Sequence, residues 1–343
     1  MKIDYKQARE FLEKINEKDN VVIFTHTDLD GFASGNLFLN YLNQQNAKSE
    51  VKIINYGVNR ISDTDTNKFN KVLISDLAPG MIWEDLSKLA GKEVFYTDHH
   101  QADAKCPIPE FIHELRTTDQ GYIPSTRTVY ELTEKENKSK LWIATIGVLS
   151  DMAEKYPENN EFLQKAYWDL GLDQESLMKY LFKLNFALIG NPSLEDSFTE
   201  ISKMNGLEDV VKLAKYYEPV EKEMGRIRKD YLKKREATGK IVYYCLETIY
   251  PGLKSAFINV VSGEEKDNVL VFSNIKNQDI ISMSARNQSK EYDVSQILKD
   301  CVLGFKDGFA GGHKSASGAQ MHKYDLERFK ERLIQVNLEK YKI

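Results

Sequence analysis

Cysteine is scarce: three residues, Cys106, Cys245 and Cys301, lie far apart in 343 positions, with no CxxC pair. That excludes a disulfide framework and a thiolate zinc site, and leaves scattered core or surface thiols. No run approaches the roughly 18 to 20 apolar residues needed to cross a bilayer, so no membrane partner is expected. The opening Met1-Lys2-Ile3-Asp4-Tyr5 leads into a mixed-charge stretch without the apolar segment of a signal peptide, and a cytoplasmic protein is expected. Basic residues are not in excess, because 47 Lys and Arg against 52 Asp and Glu give a net charge of −5. An extended non-specific clamp on long nucleic acid needs many cations to displace counterions and is therefore excluded. A small local phosphate-binding patch is not, and an acidic balance suits carboxylates gathered around a divalent metal. Internal repeats and low-complexity tracts are absent.

What is present is a soluble-type composition, 41% hydrophobic and 29% charged, on a chain long enough for two domains with separate cores. In the first half, short apolar runs alternate with amphipathic ones. Val21 to Phe24, Val51 to Ile54, Val72 to Ile74 and Glu93 to Tyr96 read as strands; Phe32 to Leu42, Ile82 to Leu89 and Leu141 to Leu149 read as helices. That alternation predicts βαβ units and a parallel sheet. The stretch from about Asn160 to Lys240 is helix-patterned and charge-laced, and Glu221 to Lys240 reads as a solvated connector. A second α/β region follows, with strands expected at Ile241 to Tyr244, Ala256 to Val261, Val269 to Phe272 and Ile280 to Met283. Helices are expected near Val294 to Leu303 and Leu326 to Val336, with a small-residue stretch from Gly308 to Gly318 between them, of which Gly308 to Lys314 reads as a loop.

Four acidic or histidine clusters fall at strand ends or beside a buried helix. His26-Thr27-Asp28-Leu29-Asp30-Gly31 follows the first strand. In an extended segment Asp28 and Asp30 project to one side, where they would repel unless a cation lay between them. Helix capping would account for one Asp, but not for the second or for His26. Asp76 ends the third strand, Asp98-His99-His100 ends the fourth, and Asp151 follows the apolar run Ile146 to Leu149. Alone, Asp76 and Asp151 read as turn or cap residues. In an open parallel sheet, however, ligands bind beyond the carboxyl ends of the strands, which brings Asp28, Asp30, Asp76 and His99 to one edge. Four carboxylates match two divalent cations, and mixed carboxylate and imidazole ligation favours Mn²⁺, with Mg²⁺ or Co²⁺ as alternatives. Such a pair of ions can activate water for phosphoester hydrolysis without a side-chain nucleophile. In the second half, Gly311, Gly312, His313 and Lys314 read as a loop whose backbone could approach an anion, with a tight turn as the alternative. Arg286 could fork onto a phosphate or carboxylate.

Taken in order, these segments resemble the DHH phosphoesterase superfamily with a C-terminal DHHA1 domain, over nearly the whole chain. His26 to Gly31 looks like motif I, Asp76 like motif II, Asp98-His99-His100 like motif III and Asp151 like motif IV. Gly311-Gly312-His313, with Ala316 and Gly318, looks like the DHHA1 signature, although Ala310 stands where a third glycine is often found. The resemblance implies an α/β architecture: a DHH catalytic domain over residues 1–185, a helical connector over 186–239 and a smaller DHHA1 domain over 240–343, with the active site in the interdomain cleft. It implies that Asp28, Asp30, Asp76, His99 and Asp151 ligate two Mn²⁺ ions, Asp76 and Asp151 bridging, with His26 a further ligand or close to the metals. His100 would contact the scissile phosphate or protonate the leaving group, and Asp98 would orient a histidine. Arg286 and His313 would bind substrate phosphate or the terminal nucleotide.

The expected function is a metal-dependent phosphodiesterase of exonuclease type, nanoRNase-like, acting on short single-stranded oligonucleotides and extending to dinucleotides or 3′-phosphoadenosine 5′-phosphate. A RecJ-like exonuclease on single-stranded DNA is the nearest alternative and would need stacking aromatics and a positive channel; Tyr122, Arg127, Lys229 and Lys233 are candidates, each more often plain surface or core. Polyphosphate hydrolysis and a non-catalytic nucleic-acid-binding scaffold are further alternatives, and the oligomeric state, a homodimer included, is left open.

Overall fold

The structure is a computed structural model that describes residues 5–100, 108–117, 121–277 and 279–343. Cys106 lies outside the described residues; Cys245 and Cys301 are free thiols. The chain divides into two compact units, residues 1–217 and 218–343. Among the described residues no helix is long and apolar enough to cross a membrane.

The first unit begins with α1 (Lys6–Leu12), β1 (Asn20–His26), α2 (Leu29–Gln44), β2 (Lys48–Ile54), β3 (Lys71–Ser75), α3 (Pro79–Leu86), β4 (Glu93–Asp98) and β5 (Ile112–Arg116). Helices α4 (Ser125–Leu132), α5 (Glu134–Asn137), α6 (Leu141–Ser150), α7 (Asn160–Leu170), α8 (Gln174–Gly190) and α9 (Leu194–Ser202) complete it. The five strands are all parallel, in the order β2-β1-β3-β4-β5. The strand order reverses between β1 and β3, and this is the point where an open parallel sheet offers a crevice for a ligand. Strands β1, β3 and β4 are apolar runs because both faces are covered. On one side Val22, Phe24, Val72, Ile74, Val94 and Tyr96 pack with Ile82 and Leu86 of α3. Helix α6 is buried from Trp142 through Leu149, which explains why its sequence carries no polar stripe. Strand β5 escaped the sequence reading, since Ile112-His113-Glu114-Leu115-Arg116 lies at the sheet edge and needs only one apolar face.

The second unit contains α10 (Ala214–Lys234, which begins just before the division), β6 (Glu236–Thr238), β7 (Ile241–Cys245), α11 (Leu253–Glu264), β8 (Val269–Ile275) and β9 (Ile280–Arg286). It ends with α12 (Val294–Val302), β10 (Phe309–His313), β11 (Ala316–His322) and α13 (Leu326–Ile334). Its sheet runs β10-β11-β9-β8-β7-β6, antiparallel except for β7 against β8. One face packs Val269, Val271, Ile281, Met283 and Met321 against Ile297, Leu298 and Phe329 of α12 and α13. On α10, Tyr231 meets Tyr244, Phe257 and Phe272 edge-on or tilted, so the charge-laced segment also carries a buried stripe. Two expectations are corrected here. The run Ala256 to Val261 is helical, within α11. Leu253, Phe257, Ile258 and Val261 recur at helical spacing and are the buried positions, while β-branched residues gave the run a strand-like look. The run Gly308 to Lys314 is not a loop for most of its length: Phe309–His313 is β10, at the sheet edge, and forms a β-hairpin with β11.

One close approach positions the first unit's functional edge. A Cβ on Gly31 would lie 2.5 Å from the His26 carbonyl oxygen, because the chain crosses itself where β1 turns into α2. Gly31→Ala is therefore expected to cost about 3 kcal/mol through overpacking, lowering the urea midpoint for unfolding of the first unit. An unchanged midpoint would show that the crossing tolerates a methyl group.

Candidate metal centre

The carboxyl ends of β1, β3 and β4 and the C-terminus of α6 carry His26, Asp28, Asp30, Asp76, Asp98, His99, His100 and Asp151. Asp28 is the N-cap of α2, its Oδ1 accepting from the Gly31 N–H at 3.0 Å, while its Oδ2 lies 2.8 Å from His26 Nδ1. The His26 ring stacks on Tyr56 at 4.8 Å, and the Tyr56 hydroxyl accepts from the Ala78 N–H beyond Asp76. Helix α2 starts at Leu29, earlier than expected, so Asp28 and Asp30 do not share an extended segment. They diverge into different groups. Asp30 is wholly buried in the first turn, where its two carboxylate oxygens accept the Ser125 and Thr126 N–H groups at 2.9 and 2.8 Å. Asp30 thereby caps α4 from 95 residues away. Capping accounts for both aspartates in part, which the sequence reading did not foresee.

Asp76 has φ +58, a left-handed conformation that costs a non-glycine residue about 1–2 kcal/mol. Its N–H bonds the Thr97 carbonyl at 3.1 Å, extending the β3–β4 pairing by one residue and holding the strained turn in place. The side chain is buried, and Oδ2 lacks a hydrogen-bond partner. His99 points Nε2 into three carboxylates: Asp151 at 3.2 Å, Asp76 at 3.3 Å and Asp30 at 3.7 Å. Its Nδ1 is buried without a hydrogen bond. Asp98 lies behind, accepting from the His100 backbone N–H at 2.9 Å and bonding His100 Nδ1 at 2.8 Å, which leaves the other ring nitrogen of His100 facing away from it. Below the cluster, Thr25, Ser34 and Ser75 form a closed hydroxyl ladder that also holds the Gly31 carbonyl.

Burial, and then the charges of neighbouring aspartates, raise the Asp76 and Asp151 carboxyls well above the ordinary range. Asp30 is raised as well, chiefly by burial. Burial lowers His99, which favours the neutral imidazole that can ligate a metal. At His100, burial opposes protonation but the Asp98 hydrogen bond and the surrounding carboxylates prevail, and its pKa rises. Three overlapping groups of donors result: His26, Asp28 and Asp76; Asp76, His99 and His100; Asp30, His99 and Asp151. Within each, the ligand atoms lie within 4.8 Å of one another. Hard carboxylate oxygens, neutral imidazole and an orphaned buried oxygen on Asp76 fit divalent cations.

Tyr122, named from the sequence only as a candidate stacking aromatic, lies beside the acids instead. Its hydroxyl donates to Asp151 at 3.1 Å, its ring meets His99 edge-on at 5.0 Å, and Tyr156 stacks behind it. Pro124-Ser125-Thr126 carries a helix-start signal, but nothing local joins it to Asp30. Arg286, Gly311, Gly312, His313 and Lys314 belong to the second unit. Arg286 ends β9; Gly311, Gly312 and His313 are paired in β10 rather than looped; Lys314 is in the turn that follows. Gly312 has φ +139, and a Cβ there would meet the Ala316 carbonyl at 2.7 Å, so no other residue fits.

Residues 238–338 match the family model of the DHHA1 domain. A search of curated proteins finds no match. Among solved structures, the fold is similar to that of exonuclease RecJ bound to manganese, at 15% identity and a TM-score of 0.72, covering 98% of this chain and 94% of that one. It is similar to RecJ from Thermus thermophilus in complex with Mn²⁺ at 14% identity and a TM-score of 0.70; 98% of this chain is covered, and it spans 55% of that protein. The DHH domain of a member of the s1p family of ribosomal proteins is similar at 16% identity and a TM-score of 0.71, covering 97% and 92% of the two chains.

The electrostatics carry a test. Asn tolerates the left-handed backbone of Asp76 and cannot ionise among its acidic neighbours. Asp76→Asn should raise the thermal midpoint of the metal-free protein by several degrees, corresponding to about 1–3 kcal/mol. The same variant should lose most of the stabilisation that Mn²⁺ gives the wild type. A lower metal-free midpoint would refute the crowding.

Proposed function

We propose that this chain, which belongs to the DHH/DHHA1 superfamily of metal-dependent phosphoesterases, is a Mn²⁺-dependent phosphodiesterase that hydrolyses short oligonucleotides from one end. Dinucleotides and 3′-phosphoadenosine 5′-phosphate are within the same reading. The observation that carries it is the meeting of Asp28, Asp30, Asp76, His99 and Asp151 in overlapping donor groups at the switch point of a parallel sheet. These residues and His26 would hold two ions, and Asp76, which belongs to two of the groups, is the natural bridge. The chemistry that such a pair supplies when bound is activation of water and neutralisation of charge on the phosphoryl group.

The remaining roles belong to the chain's own side chains. Asp98 fixes the ring of His100, which presents its outer nitrogen to the scissile phosphate or to the departing oxygen. The Tyr122 hydroxyl restrains Asp151, and the Ser125 and Thr126 amides restrain Asp30, so two of the acids enter the reaction already oriented. Arg286, the glycines of β10, His313 and Lys314 serve as the substrate-binding set for phosphate or the terminal nucleotide. The absence of a long basic stripe supports a short substrate over a long strand.

The test is hydrolysis of 5′-labelled and 3′-labelled RNA trinucleotides, the matching DNA and a long strand, each with Mn²⁺. Trinucleotides should shorten from one end, and the long strand should react more slowly. Failure to cleave any oligonucleotide in Mn²⁺ or Mg²⁺ would sink the proposal, and preference for the long DNA strand would turn it to a RecJ-like exonuclease. His100→Gln should lower kcat for the trinucleotide by about 10²- to 10⁴-fold with little change in KM. Arg286→Ala should raise KM for a phosphate-bearing oligonucleotide about ten- to a hundred-fold, as loss of a charged hydrogen bond would, while leaving a generic activated phosphodiester much less affected.

A further inference from the structure

The second unit contains a lysine that no part of this chemistry uses. Lys254, in the first turn of α11, is 6% exposed. Its Nζ donates to Ser282 Oγ at 2.7 Å, and Ser282 in turn donates to Asn274 at 2.9 Å. On the same strand, Arg286 donates through Nε to Asn259 of α11 at 2.8 Å and through Nη1 to the Ala285 carbonyl at 2.9 Å. Ser282, Ser284 and Arg286 alternate onto one face of β9, so both cations work on the side where α11 packs. Among the described residues, neither Lys254 nor Arg286 has a carboxylate partner.

Buried charge without a counterion is expensive, and proteins retain it where something else supplies the opposite charge. Burial first, and then the positive charges of Arg286 and Lys276, push the Lys254 ammonium down to about 8; Cys245 of β7 is the one neighbour acting the other way. Arg286 is likewise lowered by burial. Beside Ser284 and Arg286 the neighbouring strand carries small residues. Register places Gln320, Gly318 and Ala316 of β11 opposite Ser282, Ser284 and Arg286. Phe309, Gly311 and His313 of β10 continue the same rows. A Cβ on Gly318 would make only one ordinary contact, so the face is open at that position.

We propose that Lys254 is a second anion-binding residue beside Arg286, and that the pair makes the second unit select a doubly charged phosphate monoester over a singly charged phosphodiester. The proposal rests on the phosphodiesterase reading only in taking that monoester to be the terminal phosphate of the substrate. Two cations match two negative charges, whereas an internal phosphodiester would leave one cation buried and unpaired.

The experiment is calorimetric titration of the full chain, in chelator and without added metal. The probes are adenosine 5′-monophosphate, adenosine 3′-monophosphate, adenosine, and the methyl ester of adenosine 5′-monophosphate. At least one monophosphate should bind ten-fold or more tighter than adenosine and the methyl ester, and comparison of the two isomers tells which end is read. Lys254→Met should abolish that margin, and Lys254→Arg should keep it. In the wild type the margin should shrink as pH rises through about 8, where Lys254 loses its proton, and in Lys254→Arg it should not. A lysine retained only for its bond to Ser282 would lower the thermal midpoint when replaced by Met; an anion-site lysine leaves the ligand-free midpoint unchanged or raised. Wild-type margins in Lys254→Met, or no binding of either monophosphate by the wild type, would overturn the proposal. If oligonucleotides are not hydrolysed but the Lys254-dependent margin is found, the phosphodiesterase reading falls and this one stands. Hydrolysis with no such margin has the reverse meaning.

Discussion

Four carboxylates, gathered in overlapping groups at the end of a parallel sheet, set the terms for the first unit. Two unit charges 4 Å apart near a protein surface repel by about 4 kcal/mol. Several such pairs rival the whole stability of a domain, about 5–15 kcal/mol. The fold can hold Asp28, Asp30, Asp76 and Asp151 together only by keeping protons on some of them or by accepting cations among them. The raised Asp30, Asp76 and Asp151 express the first solution, and the neutral His99 amid three of the acids is suited to the second. Much of the surrounding structure serves to make this tension tolerable. The α4 amides grip Asp30, the β3–β4 pairing holds Asp76 in its strained conformation, and Tyr122 holds Asp151.

The second unit poses the opposite electrostatic problem. There, Lys254 is withdrawn from water and Arg286 is partly so on one sheet face, and among the described residues neither has an acid to match it. One unit gathers acids that suit a metal; the other gathers cations that the proposed anion would neutralise. The proposed phosphodiesterase would use both. The net charge of the whole sequence conceals this, because the many surface pairs, such as Arg226 with Glu223 and Arg228 with Glu264, nearly cancel one another.

Much of the architecture could be read from local pattern. Strands β1, β3 and β4 announced themselves as apolar runs because both faces are buried, and α6 as a continuous apolar stretch for the same reason. Where burial is one-sided, the pattern thinned: β5, at an edge, looks like an ordinary charged segment. Where side-chain shape and spacing disagreed, the wrong feature was followed. Ala256 to Val261 is rich in strand-type residues, yet the buried positions repeat at helical intervals. Glycine misled in the hairpin of β10 and β11, where it marks a close approach of two strands rather than a loop.

Sequence alone determined which residue types stand at the ends of the strands, and in what order, because hydrophobic periodicity is local and each short run carries its own boundary. That was enough to assemble His26, Asp28, Asp30, Asp76, His99, His100 and Asp151 as one list. Only the tertiary structure decided how they divide: Asp28 toward His26 and Asp76, Asp30 toward His99, Asp151 and the start of α4. It also decided that Tyr122 belongs to them and that Lys254 is not a surface lysine. Desolvation and long-range hydrogen bonding are properties of packing, created when segments far apart in the chain are pressed together. No window of sequence contains both partners of such a contact, and for that reason the candidate ligands could be listed from the sequence while their partners could not.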